Sequence, residues 1–302
     1  MCMKLAVAAV GLLVLAAPGR PGAQVFRSNV DLVSLGVAVS DKRGTLVTDL
    51  GEAEFEIYED GKRQELKFFF GGGISTSSPE LHLGLLFDTS GSMDEDIALS
   101  RTAAVKFLNA LPEAVDVTLV DFDTEVRVAR YGQNDFARLI ERIRRRKPDG
   151  MTALYDALGV YLHGAGSQEG RKILVAYSDG GDNRSSINFG EALDLLRASD
   201  VTMYTIGFLD HQGSSYQLDA RSRIQRLTEP TGGQAFFPSS VRDIETAYDK
   251  VLADIKAQYS LGYLSTNART DGKWRKVEIK VTRPGLKTRS RQGYFAPYRK
   301  RP

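Results

Sequence analysis

A chain of 302 residues exceeds the usual size of a single domain, so one large domain with appendages, or two domains, is expected. A hydrophobic fraction of 42% with 26% charged residues excludes wholesale disorder, and 40 basic against 38 acidic residues supply no global field to draw in nucleic acid or an anionic membrane. The single cysteine, Cys2, excludes a disulfide framework and zinc–thiolate sites.

The first stretch, "MCMKLAVAAVGLLVLAAPGRPGAQ", has a basic Lys4, an apolar run from Leu5 to Ala17 and small residues up to Ala23. This pattern predicts a secretory signal peptide over residues 1–23 and an exported chain, with an uncleaved N-terminal anchor as the alternative. The run is shorter than the roughly 20 apolar residues a membrane span needs, and no later segment comes closer, so the mature chain is expected to have no stable span. Removal of the leader takes away Lys4 and Arg20 and no acid, which leaves the basic and acidic residues equal. It also takes away Cys2, so stability must come from a hydrophobic core.

Residues 24–70 read as strands. "VDLVSLGVAVSD" and "FEIYEDGKRQELKFFF" are rich in β-branched and aromatic residues, and Asp60-Gly61 is a hairpin turn signal. Residues 71–80, "GGGISTSSPE", form a Gly/Ser/Pro linker. From residue 81 to 258 the texture alternates between apolar strands such as "LHLGLLF", "VDVTLVDF", "KILVAYS" and "VTMYTIGF" and amphipathic helical stretches, ending in "VRDIETAYDKVLADIKAQ". This alternation predicts a doubly wound α/β domain on a mainly parallel sheet. Residues 259–302 return to strands, including "KWRKVEIKVTR" and "KTRSRQGYFAP". The two strand blocks are each too short to close a core, so they are expected to pair as one smaller β-sandwich with the α/β domain inserted between them.

Ligands of open α/β sheets bind at the carboxyl ends of the strands. There the sequence places "FDTSGSM", with Asp88, Ser90 and Ser92 on alternate residues. It also places Thr152 in "PDGMTALYDAL" before a helix, and Asp179 in "YSDGGDN" after an apolar strand. Carboxylates and hydroxyls without nitrogen or sulfur are hard ligands suited to Mg2+, Mn2+ or Ca2+.

The D-x-S-x-S of residues 88–92, the Thr at 152 and the S-D-G of residues 178–180, in this order and spacing, resemble the von Willebrand factor type A domain over about residues 81–258. The flanking strand blocks resemble those of exported bacterial proteins built around such a domain. The resemblance implies a metal-ion-dependent adhesion site in which Ser90 and Ser92 bind the ion directly and Asp88, Thr152 and Asp179 bind directly or through water. It further implies that the ion, most simply Mg2+, accepts an Asp or Glu carboxylate from a protein ligand.

Other readings of single residues are plainer. Asp182 and Asn183 are candidates for orienting metal-bound water, with loop capping as the simpler role. Asp121 and Asp123 read as turn residues, and the basic run of residues 142–147 as a complement to a helix C-terminus. Trp274 and Phe68 to Phe70 read as sandwich core. His82, His163 and His211 are isolated in sequence, and Ser90 lacks a hydrolase nucleophile elbow, so no catalytic residue is assigned. The expectation is an exported, non-enzymatic binding protein. Its rivals are an envelope component whose metal site only stabilises the fold, and a metal-dependent hydrolase.

Overall fold

The computed structural model describes residues 32–72, 78–111, 113–210 and 212–298. The leader, the start of the amino-terminal block, residues 73–77 of the linker and His211 lie outside the described residues.

In chain order, β1 (Leu32–Ser40), β2 (Phe55–Glu59), β3 (Lys62–Gln64) and β4 (Leu66–Phe70) come first. The α/β region follows with β5 (Leu81–Asp88), α1 (Ile97–Ala110), β6 (Ala114–Phe122), β7 (Val126–Gly132), α2 (Phe136–Arg145), α3 (Leu154–Ala165), β8 (Arg171–Ser178), α4 (Phe189–Ala198), β9 (Thr202–Gly207), α5 (Ser214–Thr228), β10 (Ala235–Phe236) and α6 (Val241–Ala257). The chain closes with β11 (Tyr259–Leu264), β12 (Trp274–Val281), β13 (Lys287–Arg289) and β14 (Gly293–Phe295).

The α/β sheet has the order β10-β9-β8-β5-β6-β7, parallel throughout except for the antiparallel edge strand β7. Every residue of β5 and β8 is buried, as expected for central parallel strands covered on both faces. Leu83, Leu85 and Phe87 point into one core with Phe107, Tyr248 and Val251 of α1 and α6; Leu86 points into the other with Leu158 and Leu193 of α3 and α4. Burying each such side chain contributes about 1.5–3 kcal/mol. Gly84 opens the second face to Tyr161 of α3, whose ring would lie 2.2 Å from any Cβ added there.

The amino- and carboxyl-terminal segments build two further antiparallel sheets, β13-β1-β11-β4 and β14-β12-β2-β3. Val33, Leu35, Val37, Ile57, Leu261, Val277 and Ile279 fill one core between them. The β2–β3 turn is Asp60-Gly61 with φ of 48° and 80°, the left-handed pair that a tight hairpin of matching twist requires.

Two readings from sequence need correction. "KRQELKFFF" is not one strand: β3 and β4 belong to different sheets, and the chain crosses between them at Glu65. Within the aromatic group only Phe69 packs in the core, 5.7 Å from Phe55 and 6.0 Å from Tyr259 between ring centroids. Phe68 and Phe70 pair with each other 5.8 Å apart on the face that carries neither Phe69 nor that core. Trp274 stands on the outward face of β12, edge-on to Phe295 at 5.1 Å, because its neighbour Arg275 takes the inward position.

The sandwich is tied to the α/β region by a buried charge network. Arg289 of β13 donates to both carboxylate oxygens of Asp254 in α6, each at 2.6 Å, and Tyr204 of β9 donates to the same group.

Candidate functional site

Three loops meet at the carboxyl ends of β5, β6 and β8. Phe87 is the last apolar residue of β5; after it the chain turns through residues 88–92 into a short 3-10 turn at Gly91–Met93. Backbone bonds fasten this loop to the segment before α3: Asp149 N–H donates to Thr89 O at 2.9 Å and Gly91 N–H to Gly150 O at 3.1 Å. Gly150, at φ 73°, is needed at this approach, since a Cβ there would fall 2.4 Å from Thr124 Oγ1.

Asp88 lies at the bottom, fully buried. Its Oδ1 accepts from Ser90 N–H at 3.0 Å and Ser90 Oγ at 2.6 Å, and its Oδ2 accepts from Ser178 Oγ at 2.5 Å. Burial, then the charge of nearby Asp179, push its carboxyl up to about 7 against the relief these hydrogen bonds give. Ser90 Oγ and Ser92 Oγ are 3.2 Å apart. Ser90 is buried and Ser92 exposed, so the pair runs from the floor to the surface.

Ser92, Thr152 and Asp179 line one cleft of about 460 Å3 with Tyr155, Gln212 and Tyr216. Asp179 Oδ1 accepts from Gly181 N–H at 2.9 Å, and Oδ2 accepts from Gln212 Nε2 at 3.3 Å. Burial and the charges of Asp179 and Asp88 push the Tyr216 hydroxyl up to about 12, so it stays protonated.

The loop of Asp182 and Asn183 braces Thr152. Asn183 Oδ1 accepts from Thr152 N–H at 2.8 Å, and Asn183 N–H donates to Thr152 O at 3.0 Å. Asp182 Oδ2 accepts from Tyr155 N–H at 2.9 Å and so caps the first turn of α3. Both side chains take part in capping and positioning contacts.

Asp121 is not a turn residue. It ends up inside β6 with no exposed surface, and Arg127, Arg142 and Arg146 converge on it at 2.7–2.8 Å through their Nε atoms. Two arginines of the basic run therefore serve a buried carboxylate. Although burial opposes it, hydrogen bonding from Arg127 holds the Asp123 carboxyl below its usual range. His82 is also structural, with Nδ1 2.9 Å from Asp116 and Nε2 2.7 Å from the Glu169 carbonyl at the far end of the sheet.

The sequence reading did not single out Ser178, Gln212 or Tyr216. Ser178 sits inside the S-D-G motif and could have been found by asking what satisfies Asp88. Gln212 and Tyr216 come from a separate loop and α5 with no motif to mark them.

Chemically, the cluster gathers two carboxylates and three hydroxyls. Every group that meets Asp88 within hydrogen-bond distance is neutral, and among the described residues no cluster of three or more His, Cys, Asp or Glu is arranged to hold a metal. An all-oxygen set poor in charge fits a hard divalent cation that keeps some of its water and does not fit a zinc or iron centre. A cation would also relieve the repulsion between Asp88 and Asp179 that raises the Asp88 carboxyl.

Comparisons with known proteins agree with this fold. No curated protein matches the sequence. The PilB minor pilin from Streptococcus sanguinis is similar in structure, with a TM-score of 0.50 at 16% identity over 61% of this chain and 63% of the pilin, so the chain spans less than two thirds of that relative. The vWF domain of the type V pili tip protein Mfa5 from Porphyromonas gingivalis has a TM-score of 0.50 at 12% identity over 60% of this chain and 96% of that one. A family model, the von Willebrand factor type A domain, matches residues 82–250, more than half of the sequence. The chain belongs to the von Willebrand factor type A domain family.

Proposed function

We propose that this is an exported, non-enzymatic, adhesion-type protein. It holds a divalent cation on Asp88, Ser90, Ser92, Thr152 and Asp179, with Mg2+ favoured over Mn2+ or Ca2+, and uses it to recognise an Asp or Glu carboxylate on a protein ligand. The observation that carries this reading is the fully buried Asp88 carboxylate, surrounded by neutral donors and facing a second carboxylate. A bound cation would supply positive charge with coordination positions left to water, one of which a ligand carboxylate can take.

The chain's own residues divide the work. Asp88 anchors the floor, Ser90 and Ser178 orient it, and Ser92, Thr152 and Asp179 face the cleft. Three of the five ligating groups are neutral hydroxyls, so the two carboxylates only balance a divalent cation, and an incoming anion meets coordination positions held by water with no excess negative charge around them. Asn183 and Asp182 hold Thr152 in place. Tyr216 stays protonated, Asp179 is engaged by Gly181 and Gln212, and Asp88 is fully buried with both oxygens held by Ser90 and Ser178, an arrangement that suits binding better than proton transfer. A minor pilin and a pilus tip protein among the similar structures support a surface-binding role by fold analogy alone.

The test is capture from the native envelope with Mg2+, with EDTA, and with Asp179→Ala in Mg2+, folding being checked by circular dichroism. A partner captured only by the unaltered chain in Mg2+ supports the reading. Equal capture in all three arms overturns it and moves recognition to another surface.

A further inference from the structure

The opposite end of the α/β sheet holds a second cavity, remote from the cation loops. Arg171 and Thr202, the first residues of β8 and β9, meet the sandwich strands β1, β4 and β11 around a space of about 520 Å3. That size suits a small organic molecule.

Its polar lining is incompletely satisfied. Arg171 is buried, and its Nη2 donates to the Ile255 carbonyl at 2.6 Å and to Gln258 Oε1 at 3.3 Å, while its Nε has no partner. Gln258, 2% exposed, leaves its Nε2 without an acceptor. The amide sits over Gly36, where an added Cβ would come within 2.8 Å of it. The neighbouring cation Lys172 is already neutralised by Asp200 at 2.8–2.9 Å. The other acid on the lining, Glu169, is exposed at the edge.

Thus one buried guanidinium has no carboxylate within ion-pair distance, Glu113 acting on it only from further away, and two donors on residues that line the same cavity lack acceptors. Burial lowers the pKa of Arg171 and outweighs the opposing charge of Glu113, as expected for a cation removed from water without a carboxylate in direct contact. The apolar part of the lining includes Phe68 and Phe70, the aromatic pair that the sandwich core does not use.

We propose that this cavity binds a small organic anion, a carboxylate on an apolar body, with the carboxylate paired to the Arg171 guanidinium and the body lying along Phe68 and Phe70. The probe is 4-phenylbutyrate, compared with its neutral amide by isothermal titration calorimetry on the whole chain. EDTA is present so that no cation at the other end of the sheet can hold the acid.

The acid is expected to bind one to one and at least tenfold more tightly than the amide. Arg171→Gln should bring the two affinities within about twofold. Because Arg171 also holds the last turn of α6, that variant could fail to fold. Ser34→Trp, which fills the cavity from β1 and leaves Arg171 intact, should then abolish binding. Equal binding of acid and amide, no binding of the acid at millimolar concentration, or undiminished binding by Ser34→Trp would each overturn the proposal.

Discussion

Asp88 makes the metal-free protein sensitive to pH in an unusual direction. Its carboxyl is raised from the ordinary value of 3.8 to about 7, first by burial and then by Asp179. Between those values the folded state binds a proton that the unfolded state has released, so stability falls as pH rises through this window and levels off above about 7. Three pH units correspond to ~4 kcal/mol, of which ~3 kcal/mol lies between pH 5 and 8. Other carboxylates also titrate, so the quantity to measure is a difference: urea unfolding of the wild type and of Asp88→Asn, both in EDTA, at pH 5 and pH 8. Asparagine keeps the shape and stays neutral, and Ser178 Oγ can accept from its amide. The wild type should lose ~3 kcal/mol relative to the variant on going from pH 5 to 8, and saturating Mg2+ at pH 8 should restore stability to the wild type alone. Parallel stabilities across this range in EDTA would refute the argument that burial and a like charge hold Asp88 protonated.

Asn183→Ala removes the acceptor for Thr152 N–H and should weaken Mg2+ binding about 10–100-fold with the circular dichroism spectrum unchanged; unaltered affinity would deny Asn183 its positioning role. Gly84→Ala drives a Cβ against the buried Tyr161 ring at 2.2 Å and should cost about 1–3 kcal/mol or more by thermal unfolding, whereas an unchanged Tm would mean that α3 gives way freely. Arg289→Met strips the buried Asp254 of its cation and should cost about 3–5 kcal/mol, with faster amide exchange in the last turns of α6. Exchange as slow as in the wild type would show that the clamp does not hold that helix.

The strands most legible in the sequence are those whose environment leaves one pattern. The continuous apolar runs of β5 and β8 follow from burial on both faces, and the Val277, Ile279, Val281 alternation in β12 from burial on one. The Asp60-Gly61 turn was equally plain because few residue pairs accept two positive φ values. Where the chain changes sheet at Glu65, the residue pattern of "KRQELKFFF" stays strand-like, so nothing local marks the crossing. Phe68 and Phe70 have the same hydrophobicity as Phe69, and only the sheet decides which side meets the core. Asp121 was misread because its three arginines lie 6 to 25 residues further on, and a buried carboxylate so paired looks from sequence like a turn acid. The five candidate cation ligands were legible as a motif; the bracing of Thr152 by Asn183 and the approach of Gln212 and Tyr216 depend on contacts between loops that spacing does not encode.

The central claim is that these five oxygen-bearing residues hold a divalent cation, and the most direct measurement is titration of metal-free protein with Mg2+ and Mn2+ by calorimetry at pH 8, beside Ser92→Ala and Asp179→Ala. Ser92 is exposed, so its loss should leave folding intact. The account predicts one cation per wild-type chain and affinity at least tenfold weaker in each variant; no binding by the wild type, or equal binding by all three, would contradict it.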